Sequence, residues 1–428
     1  MSAFEKAKAS RRLGFRSVLG GIAVVGVSAL LLSACSAPAE TEESAAAPAE
    51  DLTLKIGTAL PQTGNLAYLG PPEEAGVEYA TSLINAATAD TGLTLDVTYG
   101  DSGDTDNKAY ETEIPRLLGE GVSAVIGAAS SGTSLQFIQT LVDADVIQFS
   151  PANTSDAFTT YDDDDLYWRT APSDVLQGEV LGNLIAEDGN QTLGMIVLND
   201  SYGTGLAKYV SDAFTAAGGE VVAQPTYNTG DTSFESQISE VLAADPDAIA
   251  LITFEEVATI LPGLLSSFPA DKLYFVDGNL KNFGTDLPAG SLTGAKGTLP
   301  GLSIDTLTDF TGQLDTYLAD AGKPALEDYS YAAESFDATT LLALASLAAG
   351  STAADDIKAK LQEVSGGSGD GEKCTTYADC AAIILDGGTI DYDGISGPIT
   401  FDEVGDPTEA SIGIYQYGED NNYVAYEG

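Results

Sequence analysis

Apolar segments alternate with amphipathic segments along most of the chain, and this alternation predicts strands followed by helices. Residues 52–60 and 93–99 are apolar runs, and the first precedes a stretch with Val77, Ala80 and Ile84 at helical spacing. Short loops with glycine or proline separate the elements. The pattern predicts an α/β fold in which parallel sheets carry helices on both faces.

The strand–helix order begins again after residues 167–174, which predicts a second α/β unit. Its strands are expected near residues 193–198, 248–253 and 273–277. A helix-rich stretch at 305–361 and a strand-rich tail after Ile383 follow. Hydrophobic periodicity alone does not assign these two stretches to either unit.

Residues 126–154 predict a binding edge in the first unit. A buried strand at 122–126 leads into small and hydroxyl residues at 127–134, and a helix with Leu135 and Ile138 follows. A helix start presents unpaired N–H groups that suit a carboxylate. Residues 150–154 follow the next strand and therefore open at the same carboxyl edge, where open α/β sheets bind ligands.

The composition excludes several classes of chemistry. The 428-residue chain contains no histidine, so triads based on histidine and metal sites with histidine ligands are excluded. A run of aspartates at 162–165 lacks the spacing of a calcium loop. The absence of histidine does not exclude serine–lysine or carboxylate chemistry. We nevertheless predict no catalysis, no metal and no cofactor.

Residues 1–35 are predicted to be a targeting segment. A basic start precedes an apolar run at 18–32, and the segment ends in Leu-Ser-Ala-Cys, which resembles a bacterial lipobox with Cys35 as the lipidated residue. A simple membrane anchor with an incidental cysteine is the alternative. Residues 36–51 predict a flexible linker. The protein is thus expected to be exported and lipid-anchored to the outer face of the cytoplasmic membrane.

The net charge argues against anionic partners. Removing residues 1–34 leaves 12 basic and 64 acidic residues, a net charge of −52. Nucleic acids and anionic membrane surfaces are therefore excluded as partners.

The two loops at 127–134 and 150–154 together resemble the type I periplasmic-binding-protein family. The likeness is greatest to the leucine/isoleucine/valine-binding receptors of ATP-binding-cassette (ABC) importers. Further blocks resemble the same family, and they are residues 198–207, 230–238, 329–345 and 396–406.

The resemblance implies two Rossmann-like lobes with parallel central sheets and three crossovers between them. The first lobe is expected to comprise residues 52–172 and about 302–385, and the second 173–301 and about 386–428. The resemblance also implies a monomer that binds a small molecule and delivers it to an ABC permease with its ATPase subunits.

Carried over residue by residue, the resemblance implies ligand contacts in the first lobe. Ser131, Gly132 and Thr133 are expected to offer N–H groups and hydroxyls to an amino acid's carboxylate, with Ala152 (carbonyl) and Thr154 (hydroxyl) beside them. Helix capping and turn formation are the alternative roles for these residue types. Leu69 occupies a position that contacts the ligand side chain, although it could equally pack the loop.

In the second lobe the resemblance implies that Asp277 binds the ammonium group, with Tyr202 on the cleft face and Phe254 at the rim. Asp277 could instead cap the next helix, and Tyr202 could pack over its loop. Asp174, at the first crossover, is equally suited to ligand contact and to helix capping.

Glu255, Glu256 and Lys281 depart from the family pattern. Two adjacent acids at the rim of the pocket do not suit a purely aliphatic ligand, so the identity of the ligand is open.

Cys374 and Cys380 enclose a short segment and, in an exported protein, predict a local disulfide. Free thiols are the alternative.

The function expected from these observations is reception of an amino acid for import, with leucine, isoleucine or valine favoured. Uptake of another small ligand, such as a polar amino acid, an amide, urea or an aromatic acid, is the second hypothesis. A sensory binding module or an enzyme is the third.

Overall fold

A computed structural model describes residues 51–369 and 371–426. The predicted targeting segment, Cys35 and the linker up to residue 50 lie outside the described residues. Within the described ranges, no helix is both long and apolar enough to cross a membrane.

Among the described residues, sixteen strands form two large sheets and one small sheet. They are β1 (Leu52–Ala59), β2 (Leu93–Thr98), β3 (Ala124–Gly127), β4 (Ile147–Ser150), β5 (Tyr167–Arg169), β6 (Thr192–Leu198), β7 (Glu220–Ala223), β8 (Thr226–Tyr227), β9 (Ala248–Ile252), β10 (Leu273–Phe275), β11 (Lys296–Pro300), β12 (Glu372–Cys374), β13 (Ile390–Gly394), β14 (Gly397–Pro398), β15 (Ile412–Tyr417) and β16 (Tyr423–Ala425).

Twelve α-helices cover these sheets in the described part of the chain. They are α1 (Gly70–Ala86), α2 (Thr88–Thr91), α3 (Tyr110–Glu120), α4 (Ser131–Val142), α5 (Asp174–Glu187), α6 (Ser201–Ala216), α7 (Glu235–Ala243), α8 (Val257–Leu265), α9 (Thr308–Asp320), α10 (Ala332–Ala349), α11 (Ala354–Val364) and α12 (Tyr377–Leu385).

The first lobe is built on a fully parallel sheet with the strand order β2-β1-β3-β4-β5. The central strands β3 and β4 are buried along their whole length because helices cover both faces. Helix α10 is apolar around most of its circumference, and residues 332–347 are all buried. It packs against α1 and α11 and forms the centre of this lobe's core.

The second lobe is built on a mixed sheet with the order β16-β15-β11-β10-β9-β6-β7, and β8 also pairs with β6. Strands β6, β9 and β10 run parallel, as the sequence predicts, and β11, which the sequence did not reveal, continues the parallel order. The tail strand β15 is antiparallel to β11, and β16 is antiparallel to β15. The expected parallel centre of this sheet is confirmed, and two antiparallel strands extend it at this edge.

The chain passes between the lobes three times. It crosses between β5 and α5, returns between β11 and α9, and crosses again before β15. The tail from about residue 386 was expected in the second lobe. In the structure Ile390, Tyr392, Ile399 and Phe401 instead pack in the core of the first lobe, so the third crossing comes after Phe401.

Cys374 and Cys380 form the predicted disulfide, with their Cα atoms 5.4 Å apart. Closing so short a loop restricts the unfolded chain only modestly, and we expect a stabilisation of about 2 kcal/mol. The double variant Cys374→Ser/Cys380→Ser should unfold at a correspondingly lower urea concentration. Dithiothreitol should shift the wild-type midpoint in the same direction and leave the double variant unchanged; a shift in both proteins would contradict this assignment.

Candidate functional site

A cleft between the lobes is lined by loops that follow the strands of both sheets. The loops after β1, β3 and β4 supply Leu69, Ser131 and Ala152, and segments after β6, β9 and β10 supply the facing residues. Parallel strands place such loops at the carboxyl edge of each sheet, so the two carboxyl edges face each other. This arrangement is the reason why residues far apart in the sequence meet here.

Seven of the ten residues predicted to bind ligand line one cavity in this cleft, and they are Leu69, Ser131, Ala152, Thr154, Tyr202, Phe254 and Asp277. Gly132, Thr133 and Asp174 are buried beside it without lining it. The lining also includes residues that the sequence analysis did not select, namely Leu66, Ala129, Ser130, Gly278 and Tyr331.

The cavity measures about 10 Å³, which is room for about one water molecule. Its walls are held together by contacts between the lobes. Glu255 N–H donates to the Asn65 carbonyl at 3.2 Å, and the Ser155 hydroxyl donates to the Ser201 carbonyl at 3.1 Å. The lobes are therefore closed on each other, and a ligand as large as an amino acid enters only when they separate.

The start of α4 points its polar groups at the cavity. The cap of this helix is Ser130, whose Oγ accepts from Thr133 N at 3.2 Å. The N–H groups of the first turn have no partner within the helix and carry the positive end of its dipole. Ser131 Oγ accepts from Ser155 N at 3.3 Å, which leaves its own hydroxyl hydrogen free to donate. The capping role thus falls to Ser130, and Ser131 retains a donor for an anion.

The second loop is fixed to the first by Ser150 and Asn153. The Ser150 hydroxyl accepts from Asn153 N at 2.9 Å and donates to the Ala128 carbonyl at 2.8 Å. The Asn153 side-chain amide donates to the carbonyls of Ala128 and Ala129. Thr154 Oγ1 is buried and has no hydrogen-bond partner among the described residues.

Arg169 holds the second loop (residues 150–154) in place. It is fully buried and forms a bidentate ion pair with Asp406. The Nε–Oδ1 distance is 2.6 Å and the Nη2–Oδ2 distance is 2.8 Å. Its Nη1 donates to the carbonyls of Asn153 and Ser155 at 3.3 and 2.8 Å. Because Asp406 lies on the third crossover, the arginine links that crossover to the ligand-facing loop.

The Asp277 carboxylate accepts three side-chain hydrogen bonds in the cleft. Its Oδ1 accepts from the Tyr202 hydroxyl at 2.7 Å and from Gln177 Nε2 at 2.9 Å, and its Oδ2 accepts from the Tyr331 hydroxyl at 2.9 Å. Burial raises the pKa of Asp277, whereas these three donors favour its ionised form and oppose that rise. The carboxylate is therefore held by side chains in place, and it does not cap a helix.

Asp174 is fully buried, and neither of its carboxylate oxygens has a hydrogen-bond partner in the described part of the chain. The cap of α5 is Ser173, whose Oγ accepts from Val175 N at 3.4 Å. The capping role for Asp174 is therefore wrong. Burial, and secondly the nearby Asp277 carboxylate, raise the pKa of Asp174 well above its ordinary range.

This raised pKa predicts that Asp174→Asn stabilises the ligand-free protein at neutral pH. When a carboxyl binds its proton more tightly in the folded state than in the unfolded state, the protein loses stability as the pH rises above the unfolded-state pKa of about 4. We expect the asparagine variant to gain about 1–3 kcal/mol at pH 7.5. The gain should shrink towards pH 4.5, where the wild-type acid is protonated. Urea unfolding at the two pH values tests this, and an equal effect at both would contradict it.

Gly132 lies at a close contact between the two lobes. A Cβ on this residue would be 2.7 Å from Oδ2 of Asp200, which caps α6 in the opposite lobe. Burial raises the pKa of Asp200 to about 6. The glycine therefore permits close approach of the lobes, in addition to any N–H group it offers to a ligand.

The rim residues that departed from the family pattern do not line the inner cavity. Glu256 accepts from Asn65 Nδ2 and from the Tyr227 hydroxyl, both at 3.1 Å, and so holds a contact between the lobes. Glu255 forms an ion pair with Lys281 at 3.4 Å. Phe254 stacks on Tyr202 with 5.2 Å between ring centroids and forms an apolar wall. The acids thus act at the lobe contact, and the cavity wall behind them is aromatic.

An interlobe cleft with the start of a helix on one side and a fixed carboxylate on the other is typical of ligand-binding proteins of two α/β lobes. The chain belongs to the periplasmic binding protein family, whose model matches residues 53–379. This family consists of exported binding proteins that recognise small molecules and work with ABC permeases.

Two curated relatives and one solved structure illustrate the similarity. A leucine-, isoleucine-, valine-, threonine- and alanine-binding protein from Pseudomonas aeruginosa is 30% identical over 45% of this chain, and the match spans only about half (51%) of that protein. A Leu/Ile/Val-binding protein homolog 3 from Brucella melitensis is 25% identical over 90% of this chain and 95% of its own length. The solved structure is that of the branched-chain amino acid transporter substrate binding protein LivJ from Streptococcus pneumoniae in complex with isoleucine. Its TM-score is 0.68 and its sequence identity is 22%, and the match covers 88% of this chain and 100% of that chain.

Proposed function

We propose that the protein is the receptor of an ABC importer for an α-amino acid, with leucine, isoleucine or valine as the favoured ligand. The observation that carries the proposal is the position of Asp277 across a single cavity from the start of α4. A carboxylate and a set of N–H donors on opposite walls match the two charged ends of an amino acid zwitterion.

The remaining walls support a hydrophobic side chain. Leu66, Leu69, Ala129 and Phe254 line the cavity and present apolar surface to its contents. Asp174 would be a second acid for the ammonium group, since its buried carboxylate has no partner in the described structure. The names of both relatives, and the isoleucine in the structural neighbour, agree with this ligand class at low sequence identity.

An aromatic acid is the second candidate ligand. The stacked pair of Tyr202 and Phe254 offers a flat apolar wall, and the start of α4 would hold its carboxylate equally well. Such a ligand has no ammonium group and would leave Asp277 and Asp174 without a cationic partner. This mismatch is why we favour the amino acid.

The role in transport follows from the family and from the first 35 residues. We propose that Cys35 is lipidated, that residues 36–51 tether a monomeric receptor to the outer face of the membrane, and that the ligand-bound closed form docks on the permease. Ligand bridging both lobes would shift the population towards that closed form.

A thermal-shift screen of the chain from residue 36 tests the ligand assignment, since the described residues from 51 onward belong to one compact unit. The screen compares the twenty common amino acids with urea, short amides and benzoate. Binding to the native state raises the midpoint in proportion to RT ln(1 + [L]/Kd), so the tightest ligand gives the largest shift. Leucine, isoleucine or valine should rank first. If benzoate or an amide shifts the midpoint while no amino acid does, the amino-acid assignment is wrong.

A further inference from the structure

A second and much larger cavity lies between the lobes, and we call it the outer chamber. It measures about 550 Å³, within the usual range of small-molecule sites, whereas the inner cavity measures about 10 Å³. Helix α1 and residues 318–328 of the first lobe form most of its wall, and residues 281–286 of the second lobe close it. Tyr68 lines the outer chamber while its hydroxyl donates to the Asp277 carbonyl at 3.0 Å, so this side chain stands between the two cavities.

The outer chamber combines an apolar floor with unneutralised acids. Pro72, Ala75 and Leu318 are buried residues of its wall. Both lysines of the wall already have acidic partners, since Lys281 pairs with Glu255 at 3.4 Å and Lys323 pairs with Glu78.

Four further carboxylates of the wall form no ion pair within the described residues, and they are Glu74, Asp286, Glu327 and Asp328. Glu74 and Asp328 are half-buried, and Asp286 and Glu327 are exposed. An occupant with a positive charge would therefore meet an excess of negative charge in a partly desolvated space, where charge pairing is stronger than in bulk water.

We propose that the outer chamber is a second binding site, which takes a small organic cation: a primary amine on a short apolar body. The apolar floor would hold the hydrocarbon part, and the surplus carboxylates would hold the ammonium group. This site lies outside the inner cavity and does not depend on which ligand that cavity binds.

Occupation of the outer chamber would favour closure of the lobes, because the wall is shared between them. The lobes already meet there through Asn282 Nδ2, which donates to the Glu327 carbonyl at 3.4 Å, and through the Tyr423 hydroxyl, which donates to Asp328 at 3.2 Å. A cation that contacts both walls would bind the closed form more tightly than the open form. Ligands of the two sites would then increase each other's affinity by the same factor.

Isothermal titration of the chain from residue 36 with n-pentylamine tests the site. About 0.15 M salt is present because it screens attraction between charges more than about 8 Å apart and leaves direct contacts. The amine should bind saturably, and pentan-1-ol and pentanoate should bind at least about tenfold more weakly, since they lack the cation. Equal binding of amine and alcohol would overturn the proposal.

Variants distinguish a built site from general attraction to an acidic protein. Asp286→Asn/Glu327→Gln removes two exposed carboxylates of the wall, and Ala325→Trp fills the chamber without changing its charge. Each should weaken amine binding at least about fivefold, through lost charge pairing or lost volume. Glu179→Gln/Glu240→Gln removes the same charge from exposed positions on α5 and α7 and should leave binding unchanged.

Two outcomes would show non-specific attraction and overturn the proposal. In the first, Glu179→Gln/Glu240→Gln loses as much amine affinity as Asp286→Asn/Glu327→Gln. In the second, Ala325→Trp binds the amine like the wild type. Asp277→Asn separates this site from the inner cavity. Persistent amine binding in that variant supports the outer chamber, whereas its loss assigns the amine to the inner cavity. The thermal-shift screen tests the ligand of the inner cavity and the amine titration tests the outer chamber, so one proposal can fail while the other stands.

Discussion

Replacing Asp277 by asparagine is expected to lower the affinity for the best amino acid of the screen by about 100-fold or more. The carboxylate is held by Tyr202, Gln177 and Tyr331 in a buried cleft, where an ammonium group would lose its hydration on binding. Removing one partner of a buried charge pair costs about 3–5 kcal/mol, and 2.7 kcal/mol already corresponds to about 100-fold. Asparagine preserves the volume, so the change isolates the charge. Isothermal titration of both proteins with the same amino acid measures the effect.

The matched control for this prediction is Tyr331→Phe, which removes one donor to Asp277 and keeps the ring. Loss of one hydrogen bond to a charged group should cost about 1.5–3 kcal/mol at most, so the affinity should fall less than in the asparagine variant. Glu240→Gln, at an exposed position on α7, should bind like the wild type. If Asp277→Asn binds the amino acid within threefold of the wild type, the ammonium group is held elsewhere, and Asp174 becomes the residue to change.

The strand–helix order and the binding edges could be predicted from the sequence because local patterns encode them. A buried parallel strand reads as a short apolar run, and the loop after it is rich in small and hydroxyl residues, as around β3 and β4. Strand ends and helix starts are close in sequence, so the segments that hold the site could be located from local patterns. The choice of Ser131, Ala152 and Asp277 within those segments came from the resemblance to the family. Their meeting in one cavity then follows from the parallel order of the strands.

Contacts between distant segments could not be predicted in this way. Tyr331 and Gln177 both donate to Asp277, yet they lie 54 and 100 residues from it in the chain. The segment containing Ile390 and Phe401 joins the first lobe because its apolar side chains fill space around α10, which periodicity does not reveal. Arg169 is a residue whose burial could have been inferred from the sequence. A buried strand with one arginine requires an acidic partner, although nothing local identifies Asp406 as that partner.

That arginine leads to the second large effect, a loss of stability in Asp406→Ala. Arg169 is fully buried, and Asp406 is its acidic partner among the described residues, with two short contacts of 2.6 and 2.8 Å. Removing the acid leaves a buried guanidinium without a counter-charge, which costs about 3–5 kcal/mol. The urea midpoint of Asp406→Ala should therefore fall sharply, whereas Glu403→Gln, at an exposed position nearby in the chain, should unfold like the wild type.

Adding Arg169→Met to Asp406→Ala separates the cost of the unpaired charge from the cost of the lost contacts. The methionine removes the buried charge, so the double variant should regain part of the stability lost by Asp406→Ala alone. It should nevertheless bind the amino acid more weakly than the wild type under conditions where both are folded, because Arg169 also holds the carbonyls of Asn153 and Ser155 on the ligand-facing loop. A double variant with full affinity would show that the loop keeps its shape without the arginine. A double variant less stable than Asp406→Ala would show that the contacts of Arg169 to the loop outweigh the cost of its unpaired charge.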